Sequence, residues 1–427
     1  MRKVIKYFLI TLIAIVGLLT TTVILCRTIF KDELIKYLTK LQTEEMTHYF
    51  VADIPVEPEN FAEDFESIHK QVVENCSLYK QKGYDIDSLY TTFASRIGDD
   101  VQTKAEYSLL VCEYFAALNI GHAWTTLYGY SAGQRLEVIE DRLFLSKPNE
   151  YLTNYGFRDK DEIVGINNLT TDEYVAQLKK YLPASTEAAR TYNTRRWALI
   201  DSFIDSLLIC DVLREGERLR IELPLMRKAE IKQPQPDLVA TGKRLNDSVG
   251  YINIISMMGS VVEDFKQAYE QVCDLPYLIV DVRNNGGGNS GFGREITEYL
   301  LCKEQAHCVS GTIVPQPNAY CGKLFLLTGP YTFSASESFA LDIKESGLAT
   351  VVGETTGGDT GCRPKTFTSK YGICFRIPTR APHLSPKGFP MEGVGIEPHY
   401  EVKQTVEDFF TDTDTAIEYI LTELINN

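Results

Sequence analysis

Apolar positions along this chain change their period twice, and the changes divide it into segments. After a polar stalk over residues 27–55, Phe61, Phe65, Ile68 and Val72 recur at helical spacing. Thr103 opens a second helix that carries Tyr107, Leu110, Val111, Tyr114, Phe115 and Leu118 on one broad face. It stops at Asn119-Ile-Gly-His122, which sets His122 just past a helix end. These elements predict a small helical domain over 56–130. Residues 131–230 differ: Phe157–Asn168 reads as a turn, a short strand and another turn. A helix over Thr171–Leu182 follows, ended by Pro183, and then a strand near Leu219–Leu223. From about residue 245 the pattern becomes strand, helix, strand, over Val249–Ile255, Val262–Cys273 and Tyr277–Val282. Further strands are predicted at Lys323–Thr328, Thr350–Gly353 and Ile373–Pro378, with a helix over Ser336–Ser346. Ile417, Ile420, Leu421 and Leu424 mark a closing amphipathic helix opened near Thr413 and Asp414. The expected architecture is an α/β core over 231–410 with a C-terminal helix over 411–427.

The first 26 residues stand apart. No charge falls between Tyr7 and Cys26, while Arg2, Lys3 and Lys6 precede the run. Roughly 20 apolar residues span a bilayer as a helix, whereas a signal-peptide core is about 7–15. The favoured expectation is an uncleaved membrane anchor with everything after Arg27 exported, and a cleaved signal is the alternative. A net charge of -15 argues against nucleic acid as the main partner. The other nine cysteines include no cluster with metal-ligand spacing, so no metal or cofactor is expected. Cys362 and Cys374 flank a hairpin-like stretch and form the candidate disulfide for an oxidising compartment.

Two segments carry chemistry. The strand Leu324–Thr328 runs into a Gly-Pro turn and delivers Ser334 to the first turn of a helix. There the hydroxyl stands clear of the sheet, beside unbonded N–H groups that stabilise negative charge. Asp281-Val-Arg-Asn-Asn-Gly-Gly-Gly-Asn289 follows an apolar strand, and its glycines let several N–H groups turn toward one point, as an oxyanion site requires. Spaced glycines and the Lys-Ser/Thr of a phosphate-binding loop are absent. Each feature has a structural reading as well: Ser334-x-x-Glu337 is a capping box, the glycines make a tight turn, His122 ends a helix, and Glu392 is a surface carboxylate.

Taken in order, Gly250-Tyr-Ile, Asp281-x-Arg-x-Asn-Gly-Gly-Gly, Ser334-Ala-Ser-Glu and Gly353-Glu-Thr resemble the carboxyl-terminal processing protease and tricorn family of serine peptidases, over roughly 56–427. The family's processing-protease branch has a lysine after Gly-Glu-x-Thr-x-Gly, but here Asp359 stands in that place and Lys365 is the only nearby candidate. The tricorn-like branch uses a histidine from the helical region and a late glutamate. His122 and Glu392-Gly-Val-Gly-Ile-Glu-Pro-His399 resemble these, although Gly121 replaces the serine beside the histidine. The resemblance implies a spiral ClpP/crotonase-type core with an N-terminal helical domain. Phe157–Asn168 and the following helix resemble the second half of a PDZ domain, which makes 131–230 a PDZ-like module.

The expected site is therefore Ser334 as nucleophile, His122 as general base and Glu392 as the carboxylate, preferred over Glu354 and Glu397. A neutral imidazole takes the serine proton and returns it to the leaving amine. His383 is the second candidate base. The N–H groups of Ala335 and a loop glycine, best Gly287 and otherwise Gly286, form the oxyanion hole. The expected function is an exported serine peptidase acting on peptide or unfolded protein. The alternatives are an inactive peptide- or hydrophobic-ligand-binding protein on the same scaffold and a non-peptide serine hydrolase.

Overall fold

The computed structural model describes residues 54–425 apart from 126–128, 200–205, 228–230, 232–236, 303–305, 360, 382–383 and 391. At its centre lies a six-stranded sheet, ordered Ala240–Arg244, Val249–Ile254, Tyr277–Asp281, Lys323–Thr328, Ala349–Gly353 and Tyr400–Glu401. The first pair is antiparallel and the rest are parallel. Both faces are covered, which is why these strands read as near-continuous apolar runs. Leu278, Val280, Leu324 and Leu326 pack against the helices Val261–Glu270, Ser290–Leu300 and Ala335–Glu345. Ile279, Phe325 and Leu327 face the other way, toward Ala416 and Ile420 of the C-terminal helix.

The helical region forms as its spacing predicts. Phe61, Phe65, Ile68 and Val72 are buried on the helix Phe61–Asn75, and Thr103 with Glu106 makes a capping box for Lys104–Ala117. A helix at Ile86–Ala94 lies between them, capped by Asp85. Residues 137–224 build an antiparallel sheet from Glu137–Ile139, Arg142–Phe144, Glu162–Ile166, Leu207–Arg214 and Glu217–Pro224, with the helix Thr171–Leu178 beside it. The chain is thus a mixed α/β protein.

The cysteine pairing departs from expectation. Cys302 and Cys321 form a disulfide, while Cys362 and Cys374 are not joined to each other. The hairpin register explains the difference: Thr368 lies opposite Cys374, whereas Cys362 sits beyond the far end of the ladder, where Arg380 N–H bonds its carbonyl. The apolar run 7–26 and His383 lie outside the described residues, and no described helix is long and apolar enough to cross a membrane.

Candidate active site

Three loops leave the carboxyl ends of neighbouring parallel strands and meet at one place, as ligand sites in such sheets do. Tyr277–Asp281 feeds the glycine loop, Lys323–Thr328 feeds the turn to Ser334, and Ala349–Gly353 feeds the loop to Asp359. Ser334 itself has φ +59° and ψ −124°, a conformation that a non-glycine residue adopts only under constraint from its surroundings. Its backbone N–H donates to the Asp359 carbonyl at 3.0 Å and to Glu337 Oε2 at 3.3 Å, which fixes the turn.

The side chain of Ser334 is aimed at His122. Oγ lies 3.0 Å from His122 Nε2, although 212 residues separate them. The imidazole is 5% exposed and stacks on Phe333, with ring centroids 4.5 Å apart. Its other nitrogen, Nδ1, lies 2.5 Å from Asp359 Oδ1. Serine, imidazole and buried carboxylate therefore stand in line, the arrangement that lets a histidine hold the right tautomer while it accepts a hydroxyl proton.

The carboxylate in contact with the imidazole is Asp359, not the expected Glu392. Glu392 does not touch His122; its Oε1 contacts Ser185 Oγ at 2.5 Å, and Ser185 Oγ contacts Asp359 Oδ2 at 2.7 Å. Glu354 has no bond to the imidazole, and Glu397 is exposed. Lys365 is exposed on the strand Pro364–Thr368 and has no bond to Ser334. Sequence reasoning missed Asp359 and Ser185 as site residues. The signal for Asp359 was its place where a lysine was expected.

Glycine at 121 has a spatial reason. A Cβ there would lie 1.9 Å from Asp359 Oδ2, so the missing side chain is the volume that the carboxylate fills. Gly121→Ser should therefore push Asp359 off the imidazole and lower kcat about 100-fold, the usual effect of ångström-scale misplacement. Paired with Asp359→Ala, the serine should add little further loss, because the clash is gone. Steady-state rates of the two singles and the double check this.

Glu337 holds the Asp359 loop. Fully buried, it accepts bonds from Thr356 Oγ1 at 2.5 Å and from the N–H groups of Gly358 and Asp359, each at 2.7 Å. Burial pushes its carboxyl up to about 7 against the pull of those bonds. Asp359 is held below its ordinary range: burial opposes ionisation, but the charge and hydrogen bond of His122, with the bond from Ser185, outweigh it.

The expected oxyanion donors fare unequally. Gly287 presses on the nucleophile, since a Cβ there would lie 2.6 Å from Ser334 Cβ and 3.0 Å from Ala335 N, and its φ of +95° suits glycine alone. Its own N–H, however, donates to Asn285 Oδ1 at 2.9 Å, so it is engaged rather than free. The N–H groups of Ala335, Gly286 and Gly288 have no such bond among the described residues. No His/Cys/Asp/Glu cluster among the described residues is arranged to hold a metal.

Comparison with known proteins places the chain among serine peptidases. The peptidase family S41 signature matches residues 248–402, and the Bacteroidetes peptidase S41 family N-terminal domain matches 138–225. Tricorn protease of Thermoplasma acidophilum is 30% identical over 187 residues, 43% of this chain but 17% of that protein. Carboxy-terminal processing protease CtpB of Bacillus subtilis is 28% identical over 211 residues, 47% of this chain and 42% of that protein. The chain thus matches less than half the length of either relative. The crystal structure of mature CPAF complexed with lactacystin superposes with a TM-score of 0.71 at 14% identity, covering 87% of this chain and 99% of that one, a likeness of fold.

Proposed function

This chain belongs to peptidase family S41, and on that premise we propose that it is an exported serine peptidase working through an acyl-enzyme on Ser334. Ser334 Oγ attacks the scissile carbonyl carbon as its proton passes to His122 Nε2. The carbonyl oxygen takes up negative charge beside the Ala335 N–H and a loop glycine N–H, with Gly286 or Gly288 in the role expected of Gly287. Collapse breaks the C–N bond while Nε2 returns the proton to the leaving amine. Water then releases the acyl group, with His122 again the base. Asp359 accepts the Nδ1–H bond throughout and steadies the imidazolium.

The observation that carries this reading is the 3.0 Å contact between His122 Nε2 and a serine oxygen held in a constrained backbone. Substrates are peptides or unfolded protein segments, bound extended beside a strand edge. Export is supported by the Cys302–Cys321 disulfide, since such bonds persist in oxidising compartments. The N-terminal apolar run supplies the anchor or the signal.

A fluorophosphonate probe tests the nucleophile. The expected result is one covalent adduct on Ser334, found by peptide mass mapping and abolished in Ser334→Ala. A folded protein that takes no label would leave a ligand-holding scaffold as the better account. Labelling with hydrolysis of esters but not of peptides would assign a non-peptide substrate.

A further inference from the structure

The contacts running from His122 continue past Asp359 to Ser185 and Glu392. Ser185 Oγ accepts the Gly121 N–H at 3.0 Å and lies 2.7 Å from Asp359 Oδ2 and 2.5 Å from Glu392 Oε1. A serine hydroxyl owns one hydrogen, and an ionised carboxylate owns none. Two ionised carboxylates would leave one of these short O···O contacts with no proton between its lone pairs. One carboxyl group therefore holds a proton. Asp359 faces the imidazole through its other oxygen, which favours its charge. Glu392 Oε2 is buried with no hydrogen-bond partner among the described residues, a costly position for half of a negative charge.

We propose that Glu392 stands in this relay as a neutral acid, donating from Oε1 to Ser185, whose own hydrogen then goes to Asp359. The role rests on the peptidase reading and makes Glu392 a positioning residue: it fixes the Asp359 charge toward His122 rather than supplying a charge itself.

The groups facing Glu392 come from several elements. Asp359 opposes its ionisation. Lys82, 3.2 Å from Oε1, favours ionisation, but its ammonium also bonds the Asn119 carbonyl and is 17% exposed. The thiols of Cys76 and Cys362 lie nearby, both pushed up by burial, Cys362 to about 12, and so neutral. Burial first, and the Asp359 charge next, push Glu392 up to about 8 against the partial pull of Lys82 and Ser185. A cavity of about 550 Å³, lined by Lys82, Ser185, Glu392, Tyr84, Leu384 and Pro390, gives this proton a route to solvent. Above that pH the proton leaves, Ser185 is left between two anions, and the hold on Asp359 loosens.

The test compares Glu392→Gln with Glu392→Ala in the full chain. A glutamine N–H donates to Ser185 at every pH, so Glu392→Gln should lose far less kcat near neutrality than Glu392→Ala and should lack the wild-type decline near pH 8. Glu392→Ala should fall about tenfold or more, the worth of one buried hydrogen bond. Infrared difference spectra should show a protonated-carboxyl carbonyl band that titrates near pH 8 in the wild type and is missing in Glu392→Gln. Equal losses in the two variants, an alkaline limb that survives in Glu392→Gln, or no band assignable to Glu392 would overturn the proposal. The infrared titration needs no turnover. A protein that shows the band but takes no label at Ser334 would sink the peptidase reading and leave the protonation state standing.

Discussion

His122→Ala should lower kcat about a millionfold, as far as Ser334→Ala does, and the double variant should fall no further. Serine and histidine act as one unit: without a base, the hydroxyl is a poor nucleophile near neutral pH, and without the hydroxyl the base has nothing to activate. His122 Nε2 is the only basic nitrogen bonded to Ser334 Oγ among the described residues. Lys365→Ala should leave the rate unchanged, because that side chain is exposed on an outer strand. His383→Ala, measured alongside, tests the second base that the sequence offers. Turnover of a chromogenic peptide and the fluorophosphonate labelling rate should fall together in His122→Ala. Normal turnover in that variant would reject the base assignment.

The elements of this fold were legible because their signals are local. The Thr103/Glu106 capping box, the four-residue spacing from Phe61 and the apolar runs at Tyr277 and Lys323 each act within a few residues. The meeting of His122 with Ser334 was expected from the order of motifs, since no local rule spans 212 residues. The carboxylate beside the imidazole is Asp359 rather than Glu392 for a physical reason. Gly121 and Asp359 read as two separate losses, of a supporting serine and of a lysine. In space they are one exchange of volume, a side chain removed at 121 where a carboxylate enters from 359. Ser185 lies in a segment with no motif, and its contacts to Asp359 and Glu392 span 174 and 207 residues. Gly287 shows the limit of composition: three glycines predict a turn that gathers N–H groups, but only coordinates show that Asn285 has taken one of them.

Asp359→Asn should lower kcat about 10⁴-fold with little change in KM, the loss seen when a triad carboxylate becomes an amide. The side chain keeps its size and stays in a fully buried site, so the loss is one of charge and hydrogen-bond direction. An asparagine can turn its NH2 toward Nδ1, which favours the imidazole with its proton on Nε2. That nitrogen then faces Ser334 as a donor and cannot accept the hydroxyl proton. Even with its oxygen toward Nδ1, the amide lacks the charge that steadies an imidazolium. Gly358 and the Asp359 backbone remain tied to Glu337, so the loop should keep its path and thermal unfolding should change little. Removal of Glu392, one hydroxyl farther from the imidazole, should cost far less. The ratio of the two losses is the measurement that decides between the carboxylates. If Asp359→Asn stays within tenfold of wild type while Glu392→Gln abolishes turnover, Glu392 regains the orienting role and the short contact at Nδ1 is only a packing contact.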